Sequence, residues 1–147
     1  MKKISFLILF LLFTSAIFAQ DWTTNFEEAK TLAAKKNENI VLVFQGSDWC
    51  GPCIKLDREI WSTDIFKEFS KSHFVMLKAD FPRRKANQLD SEQIRKNTLL
   101  AEKYNPAGYF PFVVVLNSDG KVLGETGYKK VSPTEYIAQL TAFEKSK

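Results

Sequence analysis

A chain of 147 residues with 45% hydrophobic side chains, 13 of them Phe, carries enough apolar material for one packed core, which excludes a disordered or multi-domain reading. The formal charge is +4, and without Lys2 and Lys3 the 21 basic side chains fall to 19 against 17 acidic ones. So mild a balance argues against a nucleic-acid partner, and no internal repeat or low-complexity tract is present.

Lys2 and Lys3 precede an apolar run from Ile4 to Phe13, followed by Thr14, Ser15, Ala16 and Ala19. This order reads as an export signal over residues 1–19, cut after Ala19, with one domain over residues 20–147. The alternative is an uncleaved anchor, but the run is shorter than the ~20 residues a spanning helix needs and no stop-transfer pattern follows. The expectation is an exported protein of the periplasm with no stable membrane insertion after cleavage. In that oxidising compartment a cysteine pair is redox-active or bridged.

From Asp21 to Asn37, Trp22, Phe26, Ala29, Leu32 and Ala33 recur at helical spacing. Thr23 or Thr24 is the expected cap, with Glu27 and Glu28 favouring the first turns. Ile40–Phe44 is a short, continuous, β-branched run, the pattern of a strand buried on both faces. Gln45-Gly46-Ser47-Asp48 breaks it, and a helix is expected to open near Cys50, with Pro52 in its first turn. Leu56, Ile60, Ile65, Phe66 and Phe69 continue an apolar face across a break near Ser62-Thr63-Asp64. His73–Asp80 reads as a second strand, 81–97 as an inserted polar loop with some helix, and Leu99–Tyr104 as a short helix. Phe112–Leu116 is a third strand, and Ser118-Asp119-Gly120 turns it back into Lys121–Glu125. Ser132 and Pro133 open a last helix carrying Tyr136, Ile137, Leu140 and Phe143. Strands joined through helices are expected to be parallel, with an antiparallel hairpin at one side. The expected fold class is α/β: a mixed four-stranded sheet with helices on both faces.

The segment that carries chemistry is Trp49-Cys50-Gly51-Pro52-Cys53, which contains the only two cysteines of the chain. At a helix entrance, unpaired N–H groups and the helix dipole favour an anion. Cys50 is therefore the expected attacking thiolate. Cys53, one turn inside and more buried, is placed to resolve a mixed disulfide. Helical residues three apart hold their Cβ atoms about 5–6 Å apart, against about 3.8 Å in a disulfide. Cys50 closes that gap because a residue at a helix entrance need not be helical. Three plainer readings compete. A structural staple across so short a loop contributes only about 2 kcal/mol. A zinc site wants four ligands, and the chain offers two Cys and one His, His73, at a strand start. A chance CxxC is the third, against which stand the flanking Trp and the strand-to-helix context.

Trp49-Cys50-Gly51-Pro52-Cys53 matches the active-site motif of the thioredoxin superfamily at every position, and the chain resembles that family from about Asp21 to Phe143. Phe110-Pro111-Phe112-Val113 looks like the family's second landmark, a cis-proline facing the cysteines. The resemblance gives that role to Pro111 and makes Phe110 a backbone platform for an extended substrate. Trp49 is read as a partly exposed shield beside the nucleophile. The Gly-Ser-Asp-Trp-Cys run and the longer segment after the second strand resemble the exported, disulfide-reductase-associated branch. Two departures stand out. Phe44 occupies the position, six residues before the first Cys, where relatives usually carry a buried Asp, leaving water, Asp48 or a partner group as proton acceptor for Cys53. The family's first strand is missing.

The resemblance implies a reductase of disulfides in exported proteins that needs no metal or bound cofactor and is recharged by a membrane dithiol donor. An oxidase or isomerase, and a non-catalytic peptide-binding module, are the alternatives. The basic run Phe81-Pro82-Arg83-Arg84-Lys85 reads as a solvated loop, with an acidic partner as the other reading.

Overall fold

The computed structural model describes residues 21–145; the expected export signal at 1–19 lies outside the described residues. The first element is a two-residue strand, β1 (Trp22–Thr23). Helix α1 (Phe26–Lys36) follows, capped by Asn25, whose side chain accepts the N–H groups of Glu27 and Glu28. The expected cap at Thr23 or Thr24 is corrected: Thr23 belongs to β1, and its hydroxyl donates to Glu28 instead. Asn37, left-handed at φ 54°, ends α1. Strand β2 (Asn39–Gln45) leads to helix α2 (Gly51–Leu56), which widens into a π turn at Asp57–Trp61. The break falls where the polar Ser62-Thr63-Asp64 sits, and Thr63 caps α3 (Asp64–Ser70). Strand β3 (Phe74–Asp80) comes next, then a 3-10 turn at Lys85–Asn87 and helix α4 (Ser91–Tyr104). The hairpin β4 (Phe112–Leu116) and β5 (Val122–Thr126) precedes α5 (Pro133–Glu144). As expected, α5 starts on Ser132 and Pro133, and Ser132 and Glu135 form a reciprocal capping box.

The sheet has five strands in the order β1-β3-β2-β4-β5, which corrects the expected four. Strand β2 pairs parallel with β3 and antiparallel with β4, and the hairpin continues antiparallel. The added strand β1 runs parallel to the edge of β3, with Trp22 opposite Met76. Its indole packs edge-on against Trp61 at 6.1 Å, and the Lys78 ammonium lies 4.8 Å from its ring. Helix α4 is longer than the expected Leu99–Tyr104 and takes in the end of the expected loop from Ser91 on; only Asn97, Leu100 and Tyr104 of it are buried. So thin a stripe, with a polar residue in it, leaves the helix looking like solvated chain.

Alternation along β2 distributes the core between two layers. Val41 and Val43 face Leu56, Ile60, Trp61, Phe66, Tyr136 and Leu140, from α2, the π turn, α3 and α5. Ile40, Leu42 and Phe44 face Ala29, Ala33, Leu100 and Tyr104, from α1 and α4. Helices therefore cover both faces, and the β2-to-α2 junction lies at the carboxyl end of the parallel strands, where α/β sheets present their sites. Among the described residues no helix is long and apolar enough to cross a membrane.

Candidate active site

Cys50 is the N-cap of α2, in extended backbone at φ −88° and ψ 99°. Its sulfur accepts the N–H of Cys53 at 3.2 Å, and the two sulfurs are bonded at 2.03 Å, with Cα atoms 5.2 Å apart. The non-helical dihedrals of Cys50 are what allow the pair to meet, as its place at the helix entrance suggests. The expected difference in burial is not present in this disulfide form, in which each cysteine is 4% exposed. The asymmetry is in the backbone instead: Cys50 accepts an amide at its sulfur, whereas Cys53 lies inside the helix.

Trp49 is half-buried beside this pair. Its Nε1–H donates to the Phe81 carbonyl at 2.7 Å, and its ring meets Phe110 edge-on at 5.4 Å. Phe81 in turn meets Phe110 at 5.5 Å. Only glycine fits at 46, because a Cβ there would lie 2.2 Å from the indole. Trp49 and Phe110 thus form a wall next to Cys50, and Pro111, which follows Phe110 through a cis peptide bond, is buried. Asn105 braces that wall, donating from its side chain to the Tyr109 carbonyl at 2.8 Å and accepting the Tyr109 N–H at 3.0 Å. Among the described residues the N–H and C=O of Phe110 have no hydrogen-bond partner.

Phe44 does not lie beneath Cys53. It points to the α1 and α4 side of the sheet, tilted against Phe112 at 6.4 Å. Counting back from Cys50 therefore chose the wrong face of β2. The residues on the cysteine side are Val43 and Gln45, and neither is a carboxylate. A hollow of about 260 Å³ beside Cys53 is lined by Gln45, Ser47, Ile54, Asp57 and Lys78. Asp57 and Lys78 are the ionisable groups in this lining. Lys78 was not visible in sequence as a site residue, since it comes from β3, whereas Asp57 follows Cys53 by one helical turn.

Asp48, considered above as a proton acceptor, is otherwise engaged. Its two oxygens accept the N–H groups of Arg83 and Arg84 and the Nδ2–H of Asn87, each at 2.9 Å. The Arg83 amide above all, then the Asn87 amide, hold this carboxyl below its usual range, which makes it a poorer base. Its role is to pin the basic loop against the site. Arg83 consequently stacks on Trp49, its guanidinium carbon 3.8 Å from the ring centroid. Nothing in the sequence around position 83 signals that approach. His73 is stacked on Phe69 at 3.8 Å, with its Nδ1 2.7 Å from the Phe69 carbonyl, at the far end of β3.

Comparison with known proteins agrees with this architecture. A family model described as thioredoxin-like matches residues 21–118. The disulfide bond reductase DsbH of Chlamydia pneumoniae is 33% identical over 116 residues, covering 79% of this chain and 68% of that protein. A solved DsbH oxidoreductase superposes with a TM-score of 0.79 at 31% identity over 92% of each chain. A solved disulphide isomerase from Xylella fastidiosa superposes with a TM-score of 0.59 at 25% identity, over 78% of this chain and 87% of that one. With its fold, its bridged CxxC pair and these relatives, the chain belongs to the thioredoxin-like family of protein-disulfide oxidoreductases.

Proposed function

We propose that the protein reduces disulfide bonds in exported proteins, with Cys50 as nucleophile and Cys53 as resolving thiol. The observation that carries this reading is the Cys53 N–H aimed at the Cys50 sulfur, 3.2 Å away. The same donor stabilises a thiolate once the bridge is open, and the thiolate is the attacking species. The unpaired backbone of Phe110 supports the capture of an extended substrate strand beside the sulfurs. Trp49, Phe110 and Pro111 form the substrate-binding wall in this reading.

The reaction begins with the dithiol. The Cys50 thiolate attacks one sulfur of a substrate disulfide, forming a mixed disulfide and expelling the other substrate sulfur, which takes up a proton. Cys53 loses its proton and attacks the Cys50 sulfur. The second substrate sulfur leaves and is protonated, and Cys50–Cys53 is left oxidised. Two electrons have passed to the substrate, and a dithiol donor in the membrane restores the pair. The hollow beside Cys53 supports water or the Asp57 carboxylate as acceptor of the Cys53 proton. The kinship with DsbH favours reduction, and the expected signal at 1–19 favours the periplasm as the place of work.

An insulin-reduction assay tests the chemistry: wild type should precipitate the reduced chains, and Cys50→Ser should lose the activity by at least about a hundredfold, as expected when a nucleophile is removed. Equal rates would remove the catalytic reading. The likeness to a disulphide isomerase keeps isomerisation as a second reading. Titration of the Cys50–Cys53 couple against glutathione separates the two, since a reductase must sit at the reducing end of the scale. Sequencing the mature amino terminus from a periplasmic fraction tests cleavage after Ala19.

A further inference from the structure

The loop after β3 gathers Arg83, Arg84 and Lys85 on the rim of the cysteine site, all three exposed. A merely solvating loop would not need to be held there, yet this one is fastened repeatedly. Asp48 takes the amides of Arg83 and Arg84 and the side chain of Asn87. The Phe81 N–H donates to the Gln45 carbonyl at 2.9 Å, and Gln88 Nε2 donates to the Pro82 carbonyl at 3.2 Å. The two acidic groups beside the loop are engaged by its donors and by Ser47. Asp48 is saturated by the loop's own donors, and Asp80 accepts the N–H and hydroxyl of Ser47 and the N–H of Phe81. Among the described residues, Arg83, Arg84 and Lys85 form no salt bridge. Three exposed basic side chains against the two carboxylates of Asp48 and Asp80 leave the rim net positive, with Arg84 partly offset by Asp48. Arg83 carries that charge onto Trp49, the residue next to the nucleophile.

We infer that the Arg83-Arg84-Lys85 rim selects disulfide-bearing protein segments with acidic side chains beside the cystine. This rests on the oxidoreductase reading above and names the substrate class for that site. The charge acts before the chemistry: it raises the encounter rate and orients the acidic flank over Trp49 while the cystine settles beside Cys50.

The test uses three peptides, each closed by one disulfide and differing only in flanking residues: two Glu, two Gln or two Lys. Reduction by the dithiol form is followed at low and high ionic strength. At low salt the Glu peptide should exceed the Lys peptide in kcat/KM by about tenfold, the scale of a few exposed charge pairs. At about 0.5 M salt, where the screening length is a few ångströms, the ratio should fall toward one. Arg84→Glu/Lys85→Glu should reverse the order. The substitution keeps the amide that Arg84 donates to Asp48 and removes only the attraction between the two side chains. Should that variant fail to fold, the peptide and salt series on wild type decide alone. Equal kcat/KM for the three peptides at low salt overturns the inference and leaves the oxidoreductase reading standing. No reduction of any peptide overturns both.

Discussion

A methyl group on Gly46 would meet the Trp49 indole at 2.2 Å, so Gly46→Ala must push the ring off the Phe81 carbonyl and away from Phe110. Overpacking of this kind costs about 1–3 kcal/mol. Urea denaturation should show that loss together with a large fall in insulin reduction; a variant as stable and active as wild type would disprove the clamp. Asp48 is the second residue whose role is sharp. Its folded pKa lies below the ordinary 3.8. Its hold on Arg83 and Arg84 is therefore complete above about 3.8 and is lost as pH falls through the lower, folded value. The amide resonances of Arg83 and Arg84 should shift together with a midpoint below 3.8, and in Asp48→Asn that titration should vanish. In the same variant trypsin should cut after Arg84 or Lys85 faster than in wild type. Cys50, Cys53, Trp49, Phe110 and Pro111 were legible as residues because two short motifs contain them. Lys78 and Arg83 were not, because what brings them to the site is strand pairing and a tethered loop, and neither leaves a local pattern; Asp57, one turn after Cys53, was within reach of helical spacing.

Helix α4 shows what pattern reading loses at the level of an element. Asn97 is 1% exposed, donates from Nδ2 to the Asp80 carbonyl at 2.8 Å and accepts from Gln93 Nε2 at 2.8 Å. A buried amide in place of an apolar residue breaks the helical stripe, and so the segment read as loop. Replacing it by Ala leaves the Asp80 carbonyl without this donor and should cost about 1–3 kcal/mol. Thermal unfolding of Asn97→Ala measures this; an unchanged midpoint would mean that the side chain is incidental. Strand β1 escaped for a different reason. Two residues carry no alternation, and Trp22 fits the helical spacing of the segment that follows. The central strands, the hairpin and α5 were legible because continuous β-branched runs, a turn triplet and a capping box each have a mechanism that acts within a few residues.

At the scale of the molecule, two apolar layers hold the sheet without help from the bridge. The cysteines are three positions apart, so their bond restricts the unfolded chain by only about 2 kcal/mol. Reduction should therefore lower the unfolding free energy by about that amount and leave the fold intact, as urea curves with and without reductant would show. A loss of more than about 4 kcal/mol would recast the pair as a staple. The fold thus separates endurance from chemistry: the sulfurs can open and close while the scaffold stays put. The direction of β1 adds a practical corollary. It runs parallel to β3, which is itself parallel to β2, and the cysteines follow the carboxyl end of β2. The polypeptide thus enters the sheet from the opposite pole. A bead, a lipid or a fused carrier attached ahead of Asp21 leashes the domain by its back and leaves the cysteine end of the sheet free to meet whatever passes by.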